Sequence, residues 1–202
     1  MCIFVQGLTP TPECYNRALN DLHIPFHVMI RPREEDFKHN IFEIEVTVDQ
    51  IQQFKLLHLQ WQSNNRGSNY GRLGGFVFGV LNEGEDFTIN VDATKLLVEA
   101  SRPYSVTFHR AFDFLEDKIE GMKVLHSLGV DRVLTSGCQT NAIDGKEELK
   151  KLVDFSSYLD NKIPIVIAGG GVRDHNVVDL VKDTGVHEVH ASVMLKAALT
   201  IK

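Results

Sequence analysis

Two kinds of hydrophobic pattern alternate along the chain. Short apolar runs, rich in β-branched and aromatic residues, recur seven times: CIFV, IPFHVMI, GFVFGVL, YSVTFHRAF, DRVLTSG, IPIVIAGGG and VHEVHASV. These runs are nearly continuous, which is typical of strands that are buried on both faces. Longer segments with apolar residues at helical spacing lie between them. The alternation predicts seven parallel strands joined by crossover helices.

The helical segments carry recognisable start and stop signals. Helices are predicted at residues 13–22, 47–62, 92–101 and 145–159. Another places Leu115, Ile119, Met122, Leu125 and Leu128 at steps of three or four and ends at Gly129. The last is predicted to be capped by Asp174 and closed by Gly185.

A closed β/α barrel and an open doubly wound sheet both fit this alternation. Polar residues recur at the carboxyl ends of most strands, as a ring of loops around one barrel mouth requires. No GxGxxG follows the first strand, and the glycine run at 169–171 lies near the other end of the chain. These features favour a TIM-type barrel, in one domain that covers residues 1–202.

Composition excludes several classes of function. The chain has 202 residues, of which 43% are hydrophobic, and a formal net charge of −6. An acidic chain lacks the basic face that nucleic-acid binding needs. No apolar run is long enough to span a membrane. Three cysteines without a CxxC pattern argue against disulfides and structural zinc, and favour a cytoplasmic location.

Three consecutive glycines end the sixth predicted strand, where they could form an anion-binding turn. Gly169, Gly170 and Gly171 permit a positive φ and let an anion approach backbone N–H groups. A helix predicted to open at Arg173 would add its N-terminal partial charge. The same glycines could equally make only a tight strand-to-helix turn. Ser136 and Ser192, which follow other strands, are further candidate donors to an anion.

The densest polar cluster follows the fourth strand. His109, Arg110 and Asp113 lie within five residues, so an acid–base and anion-binding site is one reading. An ion pair that only fixes the loop is the other. His190, at the last strand, is a second candidate acid or base, or a core histidine bonded to a hydroxyl. Arg31 precedes a proline after the second strand and could bind an oxyanion.

Cysteine thiolates are the candidate ligands for a soft metal. Cys2 lies on the first strand and Cys138 follows the fifth, whereas Cys14 falls on a helix and is expected only to pack. Thiolates select Cu(I) over harder ions. The spacing of these residues does not by itself make a metal site.

Taken together, the strand ends resemble the CutC copper-homeostasis family. The resemblance rests on HVMIRPREEDF, GFVFGVLNEGEDFTIN, SVTFHRAFD, GVDRVLTSGCQ, IAGGGVRDHNV and GVHEVHAS. It implies a (β/α)₈ barrel, often oligomeric, with copper binding or copper tolerance as its role. It places the residues Arg31, His109, Arg110, Asp113, Gly169, Gly170, Gly171 and His190 around the barrel mouth. It also implies Cys2 and Cys138 as candidate copper ligands.

The chain departs from the family pattern at both ends. Family members begin with a further strand and helix, so the seven runs correspond to strands two to eight. We therefore expect an incomplete barrel, from a short form or an incomplete gene model. A barrel without its first strand leaves two unpaired edges, which favours association.

Three functions remain open at this point. The first is a copper-homeostasis protein that binds Cu(I) in the cytoplasm. The second is a barrel enzyme acting on a small phosphorylated or carboxylated metabolite, of isomerase, lyase or hydrolase type and without an organic cofactor. The third is a degenerate scaffold that binds partners without chemistry.

Overall fold

The computed structural model describes residues 2–3, 7–65, 72–84, 87–158 and 164–192. The chain divides into two compact units. Unit 1 comprises residues 1–86 and 90–107, and unit 2 comprises residues 87–89 and 108–202. Both units alternate strands with helices, as the hydrophobic pattern predicts.

Unit 1 contains the first strands and helices. In chain order these are β1 (Cys2–Ile3), α1 (Pro12–Asp21), β2 (Phe26–Met29), α2 (Ile41–Asn64), β3 (Leu73–Phe78), α3 (Val91–Ser101) and β4 (Ser105–Phe108), whose last residue belongs to unit 2. β2 pairs in parallel with β1, where Cys2 faces His27. It pairs in parallel with β3 on its other side, where Val28 faces Phe76.

The start of α2 shows why one predicted boundary was wrong. Asn40 accepts a hydrogen bond from the Glu43 N–H, and the Glu43 carboxylate accepts one from the Asn40 N–H. This reciprocal capping box fixes the helix start at Ile41, six residues before the predicted start at 47. A prediction from apolar spacing alone omits the first turn and a half of α2, because its N-cap residue Asn40 is polar.

Aromatic packing forms the core of unit 1. Tyr15 of α1 lies 5.7 Å from the ring of Phe26 and 4.8 Å from that of Phe54. All three side chains are fully or almost fully buried. Gly75 lets β3 approach β4 closely, since a Cβ atom there would lie 2.2 Å from the Ser105 carbonyl oxygen.

Unit 2 contains the remaining elements. They are a 3₁₀ helix (Arg110–Phe114), α4 (Lys118–Ser127), β5 (Arg132–Thr135), α5 (Lys146–Tyr158), β6 (Ile165–Gly169), α6 (Val177–Thr184) and β7 (Glu188–His190). β6 pairs in parallel with β5 and with β7. The fully buried side chains of the helices and strands include Met122, Leu125, Val133, Leu149, Leu152 and Leu180.

Two predicted helix starts in unit 2 were wrong. Leu115 lies at the end of the 3₁₀ helix, and α4 begins at Lys118, where Asp117 accepts a hydrogen bond from the Glu120 N–H. α6 begins at Val177, with Asn176 and not Asp174 as its N-cap residue. The predicted stop at Gly185 is confirmed, with a left-handed φ of 73°.

The architecture within each unit is therefore a parallel α/β fold. Among the described residues, no helix is both long and apolar enough to cross a bilayer. The single domain, the seven-strand count and barrel closure stay predictions.

Candidate functional site

An ion-paired arginine is the centre of the candidate site in unit 2. Arg110 opens the 3₁₀ helix and donates from Nε to Asp113 Oδ2 at 2.8 Å. It also donates from Nη2 to Ser136 Oγ at 2.9 Å. Asp113 is nearly buried, with 8% of its side chain exposed, whereas Arg110 is 42% exposed. The buried carboxylate thus holds a guanidinium that stays open to solvent on one side.

Asp113 is fully used as an acceptor. Its Oδ1 accepts hydrogen bonds from Thr135 Oγ1 and from the Ser136 backbone N–H. Its Oδ2 lies 3.0 Å from Ser136 Oγ, which also lies 2.6 Å from the Gln139 carbonyl oxygen. A carboxylate with this many donors is poorly placed to take a proton from a substrate. Asp113 therefore acts here as a positioning residue for Arg110 and for the end of β5.

Gly170, the middle residue of the glycine run, lies beside this cluster. Gly170 and Gly171 have φ angles of 105° and 70°, which side chains rarely adopt. A Cβ atom at Gly170 would lie 3.3 Å from Ser136 Cβ and 3.5 Å from Arg110 Nη1. Glycine at this position thus lets the backbone pass close to the guanidinium of Arg110. Arg110, Ser136 and Gly170 are thus neighbours within unit 2, and their role as a binding site stays a prediction.

The helix after the glycines begins later than predicted. Asn176 Nδ2 donates to the Gly171 carbonyl oxygen at 3.0 Å, and Asn176 Oδ1 accepts from the Arg173 N–H at 2.8 Å. This turn, built on an asparagine side chain, occupies residues 171–176 and delays the helix to Val177. The expectation that the helix opens at Arg173, and that its N-terminus directly follows the glycines, was wrong.

His109 lies directly before Arg110 and is buried, with 4% of its surface exposed. Its Nδ1 accepts a hydrogen bond from the Ala111 N–H at 3.2 Å. Because Nδ1 is an acceptor, the neutral imidazole carries its proton on Nε2. The ring lies 6.1 Å from that of Phe108. His109 is therefore a fixed imidazole with an Nε2–H donor.

The candidate residues at and near β7 differ in burial. The Cβ of His190 would lie 3.3 Å from a Cβ atom at Gly169, so this half-buried histidine adjoins the glycine run. Burial lowers the pKa of His190, which favours the neutral ring. Ser192 lies beyond the strand and is exposed. His187 is exposed.

Cys138 lies in the loop after β5 with a left-handed φ of 62°. Its thiol is free and half-buried. Burial raises the pKa of this thiol, while Lys118 opposes the shift. The thiolate is the form that binds metals and attacks electrophiles, so this environment disfavours both roles.

The other predicted ligands lie in unit 1. Cys2 belongs to β1, where its backbone pairs with His27. Arg31 follows β2, and its guanidinium lies 4.7 Å from the ring centre of Phe37 and donates to the Glu34 carbonyl oxygen. Its Nε is buried without a hydrogen-bond partner among the described residues, and burial lowers its pKa. The convergence of Arg31 with the unit 2 residues stays a prediction.

A three-ligand metal site is absent from the part of the chain that the structure describes, as far as His, Cys, Asp and Glu are concerned. Sequence reasoning missed Thr135 and Asn176, which hold Asp113 and the glycine turn. Both are small polar residues whose role depends on neighbours distant in sequence. Thr135 lies at the end of β5 and Asn176 in a segment predicted as helix, so neither position signalled its role.

Comparison with known proteins relates most of the chain to one family. The CutC family model matches residues 1–195. A CutC family protein of Pasteurella multocida (strain Pm70) is 37% identical over 191 residues, which cover 95% of this chain and 70% of that protein. The Mus musculus copper homeostasis protein cutC homolog is 37% identical over 186 residues, which cover 92% of this chain but only 61% of the mouse protein.

The human protein of the same name is 36% identical, again over 92% of this chain and 61% of its own length. A Streptococcus agalactiae crystal structure that carries the CutC name superposes with a TM-score of 0.76 and 26% sequence identity. The match covers 91% of this chain and 81% of that chain.

Proposed function

Because the chain belongs to the CutC family, we propose that it acts in copper homeostasis, the role stated in the names of its mouse and human relatives. The chain spans less than two thirds of those two relatives, so the activity of the whole proteins enters only as part of this proposal. The cytoplasmic location predicted from the sparse cysteines belongs to the same proposal.

We further propose that the chain folds as part of a TIM-type β/α barrel. Parallel pairing on both sides of β2 and of β6 supports it. The structural likeness to the Streptococcus agalactiae protein supports it as well. In such barrels the functional residues lie on the loops that follow the strands.

At the molecular level, the geometry of unit 2 best supports a site for a small phosphorylated or carboxylated metabolite. The observation that carries this proposal is the position of Arg110. Its Nε and Nη2 are held by Asp113 and Ser136, while Nη1 faces Gly170. An oxyanion between Nη1 and the glycine backbone would gain charge-assisted hydrogen bonds without rearrangement of the arginine.

His109 supplies the acid–base group of this proposal. It directly precedes Arg110 in the chain, and an imidazole can serve as a general acid or base. The reaction class would be isomerisation, bond cleavage of lyase type, or hydrolysis. Asp113 orients Arg110 and does not exchange protons with the substrate.

The test is titration calorimetry, which measures the affinity of the protein for inorganic phosphate and for phosphoglycolate. Arg110→Gln should weaken binding at least about tenfold, because a charged donor is lost. Arg17→Gln is the matched control, since it removes an exposed guanidinium of α1 whose ion pair, among the described residues, is with Asp21. Equal binding by the two variants would contradict the proposal.

Direct Cu(I) binding by Cys2 and Cys138 is the second candidate. The names of the relatives favour it, and thiolates suit Cu(I). The raised pKa of the Cys138 thiol weakens it. Competition with a Cu(I) chelator should show weaker binding for Cys2→Ser and for Cys138→Ser, with Cys14→Ser as control. Unchanged affinity in both variants would remove this candidate.

Self-association is the last part of the proposal. α2 exposes large apolar side chains, with Phe42 73% exposed and Leu56 59% exposed. Exposed apolar faces of this kind mark interaction surfaces. Sedimentation velocity should show an oligomer for the native chain that Phe42→Glu weakens. A monomer for the native chain at every concentration would refute it.

A further inference from the structure

A pocket formed entirely within unit 1 uses none of the residues of the Arg110 cluster. It is open to solvent, has a volume of about 680 Å³, and lies where the start of α2 meets the loop that joins β3 to α3. That volume accommodates a metabolite of several carbon atoms. His39, Asn40 and Asn90 contribute its polar wall, and Ile41 and Ile44 its apolar wall.

His39 is the unusual member of this wall. It is only 5% exposed, and both of its ring nitrogens are buried without a hydrogen-bond partner among the described residues. An imidazole has one donor and one acceptor nitrogen in its neutral form, so two hydrogen bonds are left unmade. Buried polar groups in folded proteins are normally paired, and an unpaired one needs an explanation.

The charged neighbours of His39 do not provide that pairing. Glu43 and Asp36 act on the ring electrostatically, as do Arg31 and Arg33. Both carboxylates accept hydrogen bonds from the Arg33 guanidinium, at 2.6 Å to Glu43 and 2.7 Å to Asp36. The charged groups of this loop therefore pair with one another, and the imidazole, which lines the pocket, keeps no hydrogen-bond partner among the described residues.

Two helices begin at the pocket. Asn40 is the N-cap residue of α2 and Asn90 that of α3, and each uses its side-chain carbonyl oxygen to accept a hydrogen bond from the first turn. An asparagine amide has two further N–H donors on Nδ2, and neither Nδ2 donates a hydrogen bond within the described residues. The helix N-termini add partial positive charge at the same place.

We infer that this pocket binds a small hydroxylated carboxylate, with the carboxylate on the Nδ2 groups of Asn40 and Asn90 and a hydroxyl group on His39. Donors and positive helix ends match the carboxylate. The imidazole can both donate to and accept from a hydroxyl. Ile44 contacts the carbon chain. Glu83, exposed at the pocket, adds one negative charge, so a monoanion should bind better than a polyanion.

Burial lowers the pKa of His39, which keeps the ring neutral and preserves its acceptor nitrogen near neutral pH. A hydroxyl group can donate a hydrogen bond to that nitrogen, whereas a second carboxylate oxygen has no hydrogen to donate. This difference selects hydroxylated carboxylates over plain fatty acids.

The experiment titrates the full chain with gluconate and follows the His39 ring nitrogens by long-range ¹H–¹⁵N NMR. A saturable shift is expected for gluconate. Sorbitol, which lacks the carboxylate, and hexanoate, which lacks the hydroxyls, should each bind at least about tenfold more weakly. No saturable shift with gluconate, or equal binding of sorbitol, overturns the inference.

Two variants separate the pocket from the fold. His39→Phe keeps a ring of similar size, should abolish the gluconate response in calorimetry, and should raise the thermal midpoint because two unpaired buried nitrogens are removed. Asn90→Ser keeps an N-cap oxygen but removes the Nδ2 donors, and should weaken gluconate binding about tenfold. Asn65→Ser, at the far end of α2, is the control and should bind normally.

Two outcomes of these experiments would contradict the proposed site. Unchanged gluconate affinity in His39→Phe refutes the site. A thermal midpoint of His39→Phe that is unchanged or lower shows that the ring nitrogens are already paired, which removes the premise.

Discussion

Arg110 Nη2 and Ser136 Oγ lie 2.9 Å apart, joining the loop that follows β4 to the end of β5. The two residues are 26 positions apart in sequence. Asp113 contacts both, so three side chains from two loops form one hydrogen-bonded unit. The geometry of the candidate anion site therefore depends on the buried carboxylate as much as on the arginine.

Asp113→Asn tests this dependence. The amide keeps the shape of the side chain but loses the charge opposite Arg110 and places N–H donors against the Ser136 N–H donor. We expect a loss of about 2 kcal/mol in the free energy of unfolding, measured by urea denaturation. The control is Asp183→Asn, which breaks the more exposed pair with Lys146 and should cost about 0.5 kcal/mol. Equal losses would show that Asp113 has no special role.

Gly170→Ala tests the close approach of the glycine turn to Arg110. The φ of 105° strains any side chain, and the new methyl group would lie 3.3 Å from Ser136 Cβ. We expect a loss of about 2 kcal/mol in stability and weaker phosphate binding. Gly84→Ala is a matched control, since Gly84 has a φ of 106° but nothing within 4 Å of its added Cβ. Its smaller loss would measure backbone strain alone, and identical losses would argue against the contact with Ser136.

The sequence predicted the parallel α/β character because strands buried on both faces leave a direct trace in hydrophobicity. It also placed Arg110, Ser136 and Gly170 after the carboxyl ends of strands, and such ends lie at one edge of a parallel sheet. It could not assign Asp113 its role. An aspartate that exchanges protons and one that only positions its neighbours look identical in sequence. The hydrogen bonds that Asp113 accepts from Thr135 and Ser136 indicate the positioning role.

Helix starts were predicted less well than helix interiors. The starts at Ile41 and Val177 depend on Asn40 and Asn176, whose side chains bind backbone groups within a few residues. Such polar contacts add nothing to hydrophobic periodicity. His39 was missed for the same reason, since its isolation from partners is a property of packing and has no pattern in sequence.

The stability of the protein should fall as the pH is lowered below neutral. His58 of α2 is 3% exposed, its Nδ1 has no partner among the described residues, and its ring lies beside those of Trp61 and Tyr104. Burial lowers its pKa below the ordinary value of 6.5, so the unfolded chain binds a proton at a pH where the folded chain does not. Stability from this group is complete above 6.5 and is lost as the pH falls towards the folded pKa.

Urea denaturation between pH 7.5 and pH 5 measures this effect. His58→Phe should reduce the dependence of the free energy of unfolding on pH, while His187→Gln, at an exposed position, should leave it unchanged. His39 and His190 have pKa values shifted in the same direction by burial and account for part of the remaining slope. A slope that is the same in His58→Phe and in the native protein would contradict the assignment to His58.

Arg33→Lys tests what holds the loop between β2 and α2. The guanidinium donates to Glu43, to Asp36 and to the Lys38 carbonyl oxygen, with distances of 2.6, 2.7 and 2.6 Å. A lysine keeps the charge but cannot reach three acceptors in one plane. We expect a loss of about 1.5 kcal/mol in the free energy of unfolding, and faster amide exchange at the first turn of α2, because Glu43 belongs to the capping box there. Arg17→Lys, on the exposed pair with Asp21, should change neither quantity, and an equally small effect at Arg33 would show that the loop is held by its backbone alone.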